Sequence, residues 1–123
     1  MPLAEERITS RYSISAYTSD DITVNEKQYP QSFILAPETL ICPSPINTLE
    51  DLNEQTIQNV LDLKPDVVLL GTGEKQIFPA PRIFALFGEK GIGLEVMNTG
   101  ALCRTFNILV AEDRDVVAVI IQD

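Results

Sequence analysis

DVVLLGTG, residues 66–73, is the stretch of this 123-residue sequence that decides the fold. Its unbroken apolar run is typical of a β-strand covered on both faces, as in a parallel sheet. Residues 92–97 and 116–121 have the same apolar character, and between these three segments lie residues 81–87 and 99–111, whose apolar positions have helical spacing. The order strand–helix–strand–helix–strand predicts right-handed crossovers and a parallel sheet.

The first half of the chain has a different pattern. Apolar and polar residues alternate on both sides of the polar residues 18–21, which predicts a β-hairpin. Two further strands are expected at residues 32–36 and 39–42, separated by the turn-forming Pro37. This half is therefore predicted to be rich in antiparallel strands.

One helix is predicted in the first half, over residues 49–61. Thr48 followed by Asp51 is typical of a capping box at a helix N-terminus. Apolar residues then recur at three- and four-residue spacing until Lys64 and Pro65 end the helix.

The two halves are predicted to form one α/β domain that leans towards α+β, an antiparallel β-rich half followed by a βαβαβ unit. No flexible linker separates them, and neither half is long enough for a sizeable core of its own. We expect a single globular domain over residues 12–123. Residues 1–11 mix charged and small polar groups and are predicted to be a loose tail.

The formal net charge of -9 excludes several classes of partner. Duplex nucleic acid and anionic lipid both repel such a surface, so no nucleic-acid partner is expected. No apolar run approaches the length of a membrane span, and the N-terminus lacks a signal-peptide core. We therefore expect a cytoplasmic protein without direct membrane insertion. Residues 28–63 carry five carboxylates and no Lys or Arg, which predicts an acidic face serving solubility or docking to a basic partner.

The sequence contains no recognisable catalytic or metal-binding group. Histidine is absent, and the only two cysteines, Cys42 and Cys103, cannot hold a metal alone, so no metal and no cofactor is expected. The proximity of Arg104 raises the possibility that Cys103 is a nucleophile, but no base is available to it. Both thiols are predicted to be reduced and to lie in the core.

Two loops are nevertheless candidates for a binding site. Ligands bind to open parallel sheets beyond the carboxyl ends of the strands, here residues 71–73 and 97–100. The helices that follow favour anions at their N-termini. Arg104 would complete an anion pocket or, alternatively, hold a neighbouring carboxylate or backbone carbonyl. Alternatively, both loops have only a structural role, in which the glycines permit a turn and Thr99 is the N-cap of a helix.

A family resemblance rests on residues 97–107, MNTGALCRTFN, and 112–118, EDRDVVA, together with the upstream DVVLLGTG and Pro79. These segments resemble a family of small bacterial and archaeal proteins of unknown function related to the mitochondrial respiratory complex I assembly factor 3. The resemblance implies a compact three-layer fold and no settled reaction. It also implies action through protein partners, and some members lie beside genes of protein-export machinery. Members often carry a tryptophan near the end of the early strands, and this chain has none.

The resemblance and the loop geometry together give two hypotheses. The first is a non-catalytic protein-binding or assembly module in the biogenesis of membrane or respiratory complexes, with its partner unidentified and its oligomeric state open. The alternative is a small-molecule or anion-binding protein, or an enzyme, that uses the loops at 71–73 and 97–100. The absence of catalytic groups favours a protein that is not an enzyme. The candidate ligand-binding residues are Gly71, Thr72, Gly73, Asn98, Thr99, Arg104 and Asn107.

Overall fold

The computed structural model describes residues 11–122, so the predicted N-terminal tail lies almost entirely outside the described residues. The strands are β1 (Ile14–Tyr17), β2 (Ile22–Val24), β3 (Lys27–Tyr29), β4 (Phe33–Ala36), β5 (Thr39–Ile41), β6 (Val67–Gly71), β7 (Gly93–Met97) and β8 (Val116–Ile120). The α-helices are α1 (Glu54–Leu61), α2 (Pro81–Gly88) and α3 (Thr99–Ala111). No helix within this part of the chain combines the length and the apolar character needed to cross a membrane.

A five-stranded sheet with the order β5-β4-β8-β6-β7 forms the centre of the protein. Strand β6 runs parallel to both β7 and β8, and Leu69 pairs with Glu95 on one side and Ala118 on the other. Strand β4 is antiparallel to β8 and to β5. The predicted parallel sheet of the second half is confirmed, and the antiparallel strands of the first half extend it into a mixed sheet.

The two faces of this sheet carry the two halves of the core, because successive residues of each strand point to opposite faces. Leu69 and Ala118 belong to the face covered by α3 and the small sheet β1-β2-β3, where Phe106 is fully buried. Leu70 lies on the other face, which α1 and α2 cover. The result is the three-layer arrangement that the family resemblance implies.

The small sheet contains the predicted hairpin and one strand more than predicted. β1 and β2 pair antiparallel, as expected, and β2 pairs with β3 so that Val24 opposes Lys27. Asn25 and Glu26 form the two-residue turn between them, with φ angles of 46° and 77°. The Asn25 carboxamide accepts from the Ser13 amide at 2.8 Å, which fixes the turn against the chain before β1.

The predicted helix over residues 49–61 is wrong in its first part. Leu49–Asp51 forms a 3-10 turn, and α1 begins only at Glu54. The Asn53 side chain accepts from the amides of Gln55 and Thr56, both at 2.9 Å, and therefore caps a separate helix. Asp51 does bond back to the preceding chain, and the amides of Asn47 and Thr48 lower the pKa of its carboxyl.

Candidate functional site

An open cleft of about 910 Å³ lies at the carboxyl ends of the parallel strands. The turn after β6, the start of α3, the end of β1 and the chain beyond β8 form its walls. Its lining residues are Tyr17, Thr18, Ser19, Asp20, Pro30, Thr72, Gly73, Glu74, Lys75, Ile77, Asn98, Thr99, Gly100, Arg104, Ile121 and Gln122. The predicted loops at 71–73 and 97–100 thus meet at one end of the sheet.

Thr72 uses its polar groups to hold the loop after β6. Its amide donates to the Met97 carbonyl at 3.1 Å, which joins the two strand ends. Its hydroxyl donates to the Lys75 carbonyl at 2.6 Å and accepts from the Ile77 amide at 3.0 Å. The Thr72 hydroxyl is therefore a structural part of a tight turn, although it lies in the cleft wall.

The helix α3 covers the predicted residues 99–111, but its N-cap lies one residue earlier than the predicted Thr99. Asn98 is the N-cap, because its side chain accepts from the Ala101 amide at 2.9 Å. Thr99 is the first helical residue, and its amide donates to the Gly73 carbonyl at 2.8 Å. Gly73 itself has a φ of 93°, a conformation that glycine adopts without steric cost.

Gly71 is buried and does not line the cleft. A Cβ placed on it would lie 2.8 Å from Cδ1 of Leu102, so the residue allows α3 to pack closely on β6. Its carbonyl accepts from the Ile121 amide at 3.0 Å. The contacts of Gly71 are those of a packing residue.

Asn107 also lies outside the large cleft, in a smaller one that borders β1. Its Oδ1 accepts from the Ile14 amide at 2.9 Å, and its Nδ2 donates to the Ile14 carbonyl at 2.7 Å. One side chain thereby satisfies both backbone groups of a strand residue and attaches the small sheet to α3.

Arg104 lies in the wall of both clefts and is exposed. Among residues 11–122 it forms neither a salt bridge nor a hydrogen bond, whereas Arg11 pairs with Asp113 and Arg114 with Asp66. The hypothesis that Arg104 holds a neighbouring carboxylate therefore has no support within the described structure. The large cleft brings together Thr72, Gly73, Asn98, Thr99 and Arg104.

An apolar rim that was not predicted from the sequence lies beside the cleft. Tyr17, Ile77, Phe78 and Phe84 are 46%, 50%, 61% and 37% exposed, respectively. Tyr17 and Ile77 line the cleft, and the rings of Phe78 and Phe84 lie 6.4 Å apart between centroids. We call these four residues the apolar rim. Its sequence signal is an apolar pair at 77–78 in a proline-rich connection between β6 and α2, where no strand or helix is available to bury it.

The two cysteines differ in burial. Both are free thiols, as predicted, but only Cys103 is buried, while Cys42 is partly exposed and accepts a hydrogen bond from Gln31 Nε2 at 3.2 Å. Burial raises the pKa of the Cys103 thiol to about 11, and the charge of the neighbouring Arg104 offsets only part of that rise.

We expect Cys103 to react slowly with iodoacetamide in the folded protein, because the reactive thiolate is rare at neutral pH. A Cys42→Ser variant isolates Cys103, and mass spectrometry at pH 8 follows its alkylation with and without denaturant. The pKa of Cys103 is higher in the folded than in the unfolded protein, so the protonated thiol favours the folded state. This contribution to the free energy of unfolding is complete at neutral pH and is lost as the pH rises from about 9 towards 11. Equal alkylation rates in folded and unfolded protein would contradict a core position.

Comparison with known proteins identifies the family. The model of a family described as "Protein of unknown function (DUF498/DUF598)" matches residues 14–121. The chain belongs to this family. The match includes both strand-end loops, α3 and the apolar rim, so these features lie within the family's shared region.

The chain is similar to several known proteins, and three of them illustrate this likeness. A "13 kDa major membrane protein" of Francisella tularensis subsp. holarctica is 30% identical over 122 residues, 98% of this chain and 99% of that protein. The NADH dehydrogenase (ubiquinone) 1 alpha subcomplex assembly factor 3 of Xenopus tropicalis is 26% identical over 110 residues, which cover 88% of this chain but 60% of that protein. The NMR structure of a Xanthomonas campestris protein superposes with a TM-score of 0.85 at 40% identity, covering 98% of this chain and 92% of that one. The resemblance to the assembly-factor family and the α/β fold are thereby confirmed.

Proposed function

We propose that this protein is a non-catalytic protein-binding module that acts in the assembly of membrane or respiratory complexes. The apolar rim carries this proposal. In residues 11–122, four of the five large hydrophobic side chains that are exposed belong to the rim, and the fifth is Ile108. Exposed apolar side chains grouped beside polar residues are typical of protein interaction sites.

The kind of residue supports the same function. Aromatic side chains are enriched in protein interfaces, where they supply much of the binding free energy. Three of the four rim residues are aromatic. The assembly factor among the relatives is named for a role in building another complex, and we extend such a role to this chain.

We further propose that the protein acts in the cytoplasm, at the surface of the membrane or respiratory complexes that it helps to assemble. Two free thiols fit a reducing compartment. The name of the Francisella relative fits association with a membrane-bound partner. Cell fractionation with and without salt washing tests this location, since a protein held by a partner is released from membranes without detergent.

Phe78→Ser should abolish the co-purification of partner proteins when the tagged protein is isolated from native cells. Phe78 is the most exposed rim residue, so the substitution should leave the fold intact while it removes the largest accessible ring. Affinity purification of tagged wild-type and variant proteins, followed by mass spectrometry, measures the loss. Ile108→Ser is the matched control, because Ile108 is 57% exposed on α3 and lines neither cleft. If both variants retain the same proteins as the wild type, the rim is not the docking surface.

A second candidate function is the binding of a small anion or other small molecule in the cleft. One observation favours it: Arg104 reaches the cleft wall and is bound by no acidic group of residues 11–122. The open end of a parallel sheet is also where small molecules bind in related architectures.

Arg104→Ala should leave the melting temperature of the protein nearly unchanged, since the loss of an exposed and unpaired side chain costs less than about 0.5 kcal/mol. If the cleft binds anions through Arg104, phosphate or sulfate should stabilise the wild type and not the variant, by mass action. Thermal unfolding of both proteins with and without each anion separates these effects. A large drop in the melting temperature of Arg104→Ala in the absence of anion would instead indicate that the Arg104 guanidinium forms a bond that stabilises the fold.

A further inference from the structure

Strand β7 is an open edge of the central sheet. Among the strands of residues 11–122 it pairs with β6 alone, because it is the last strand in the order β5-β4-β8-β6-β7. An edge strand presents backbone N–H and C=O groups that can pair with a strand from another chain. β7 has five residues, whereas β5 at the opposite edge has three, so β7 offers the longer row of such groups.

Two hydrogen bonds show which backbone groups of β7 face outwards. Both backbone groups of a strand residue point to the same side, and successive residues alternate between the two sides. The Met97 carbonyl accepts from the amide of Thr72, directly after β6, so Met97 points towards β6. The Val96 carbonyl accepts from Gln76 Nε2 at 2.9 Å and points away from β6. Leu94 has the same orientation as Val96, so its N–H and C=O also point away from the sheet.

These outward groups are available to another chain. Within the described part of the protein, no hydrogen bond reaches the N–H or C=O of Leu94 or the N–H of Val96. Leu94 is partly exposed, and its neighbours Gly93 and Glu95 are exposed. Backbone polar groups require a hydrogen-bonding partner, which is water here until another backbone replaces it.

The same edge adjoins the apolar rim. Gln76 lies against the outer side of β7 through its bond to Val96, and Phe78 follows two residues later, within about 7 Å along the chain. The ring of Phe84 lies 6.4 Å from that of Phe78, and α2, which carries Phe84, packs against β7. A strand added to β7 would therefore lie beside the two rim phenylalanines.

Glu95 gives this edge a negative charge that selects the added strand. Its side chain is exposed and forms no salt bridge with any described residue. Glu95 points its backbone towards β6, so the residue opposite it on an antiparallel added strand would form a non-hydrogen-bonded pair, in which side chains lie closest. Opposite charges in such a pair are stabilising. A Lys or Arg therefore fits the position opposite Glu95.

The alternation of side chains extends this pattern to the neighbouring positions. Leu94 and Val96 contribute to the half of the core that α1 and α2 cover. The residues opposite them on an added strand would point to that same side of the sheet. Apolar side chains there would meet the surface of α2, so the added segment should read apolar–basic–apolar.

A second copy of this chain is a poor occupant of the edge. Two β7 strands that pair about a two-fold axis over all five residues would place the Glu95 residues of the two copies directly opposite each other. Like charges in that position are destabilising. Glu95 therefore opposes self-association, as charged residues on edge strands commonly do, while it favours a basic strand.

We propose that the partner protein adds an extended segment to β7 as a sixth strand of the central sheet. This inference rests on the proposed protein-binding function and specifies how the partner is recognised. The backbone of the segment pairs with Leu94 and with the N–H of Val96, and a Lys or Arg of the segment lies opposite Glu95. Apolar side chains of the segment pack on Phe78 and Phe84. Main-chain hydrogen bonds supply affinity in such complexes, and alternate side chains supply specificity.

Selection from a phage-displayed library of random dodecapeptides tests the chemistry of the segment. The full-length wild-type protein is the bait, and clones that also bind Phe78→Ser are removed. We expect the remaining clones to share a Lys or Arg between two apolar residues. Enrichment of acidic or uncharged sequences, or no enrichment at all, would overturn the proposal.

Leu94→Pro tests the outward N–H directly. Proline lacks this donor, and at an outward position of an edge strand its introduction removes no hydrogen bond to β6. Leu94→Ala is the matched control, because it removes the same side chain and keeps the N–H. Circular dichroism confirms that both variants are folded. A synthetic copy of the most enriched peptide should bind Leu94→Pro about tenfold more weakly than Leu94→Ala. Equal affinities would refute the pairing with β7.

Two measurements do not depend on the folding of Leu94→Pro. An N-methyl group moved along the peptide should weaken its binding to the wild-type protein at every second position, because alternate N–H groups of an added strand face β7. Glu95→Lys should weaken binding several-fold, and a peptide with Glu in place of its basic residue should recover that loss. Uniform sensitivity to N-methylation, or no recovery, would contradict the proposed geometry.

Further outcomes separate the possible failures. If the selected peptides need Phe78 but show neither the N-methylation pattern nor a dependence on the Leu94 N–H, the rim binds protein and the β7 proposal is wrong. If no peptide is selected and Phe78→Ser leaves the co-purification of partner proteins unchanged, the proposed function fails as well. A wild-type dimer in analytical ultracentrifugation that Leu94→Pro dissociates and Leu94→Ala does not would place a second copy on β7 and overturn the proposal.

Discussion

Gly71→Ala and Leu102→Ala should each destabilise the protein, and the double variant should lose less stability than the two single losses combined. Leu102 is fully buried, and its Cδ1 would lie 2.8 Å from a Cβ on Gly71. A methyl group at position 71 therefore overpacks the contact between β6 and α3, while truncation of Leu102 leaves a cavity at the same place. In the double variant the added methyl fills part of that cavity.

The expected losses in the free energy of unfolding are about 2–5 kcal/mol for Leu102→Ala. For Gly71→Ala they are about 1–3 kcal/mol, because a buried leucine surrounded by core residues cannot move freely. Residues in direct contact typically show coupling energies of about 0.5–3 kcal/mol. Urea unfolding of the four proteins of the cycle measures all three quantities.

Gly100→Ala is the matched control for this cycle. A Cβ on Gly100 would lie 2.5 Å from the Tyr17 hydroxyl, an even closer approach than at Gly71. Tyr17 is 46% exposed, however, so its ring can move aside, and the change in stability should be no more than about 0.5 kcal/mol. Strict additivity between Gly71→Ala and Leu102→Ala would contradict the packing role of Gly71 and reopen its role in ligand binding.

Much of the fold could be predicted from the sequence because its strongest signals are long and uninterrupted. β6 and β8 are buried along their whole length, so their apolar runs stand out from every neighbouring segment. α3 has 13 residues, enough for its helical spacing to be unambiguous. The short polar strand β3 was missed because two of its three residues are exposed, which leaves no alternation to detect.

The error at residues 49–61 has a local physical cause. Two capping signals lie five residues apart, at Thr48 and at Asn53, and apolar spacing alone cannot show that the helix stops between them. The hydroxyl of Thr56 also donates to the Asp51 carbonyl at 2.7 Å, which joins the 3-10 turn to the separate helix. Bonds of this kind depend on side-chain direction, which sequence spacing does not specify.

The candidate site could be predicted in position but not in detail. The rule that ligands bind beyond the carboxyl ends of parallel strands placed the cleft. It could not show that the Thr72 hydroxyl and the Asn98 carboxamide are engaged by their own backbone neighbours. It could not find the apolar rim either, because that rule concerns strand ends, whereas Phe78 lies in the connection between β6 and α2.

Asn107→Ala should destabilise the protein by about 2–4 kcal/mol, a large effect for a polar residue on a helix. The variant leaves the amide and the carbonyl of Ile14 without their partners, and Ile14 is only 5% exposed. It also breaks the side-chain link between α3 and β1. Thermal and urea unfolding measure the loss, and amide hydrogen exchange should show faster opening of β1 and β2 than of β6 and β8.

Asn107→Asp distinguishes this structural role from a role in ligand binding. The introduced carboxylate can still accept from the Ile14 amide, but it cannot donate to the Ile14 carbonyl and places a negative charge against that oxygen. The protonated carboxyl group can donate to the Ile14 carbonyl, so the folded variant should bind this proton more tightly than the unfolded variant does. The stability of this variant should therefore be highest at acidic pH and should fall as the pH rises and the group ionises. A wild-type unfolding free energy in both variants, with a loss only of anion or partner binding, would show that Asn107 acts on a ligand and not on β1.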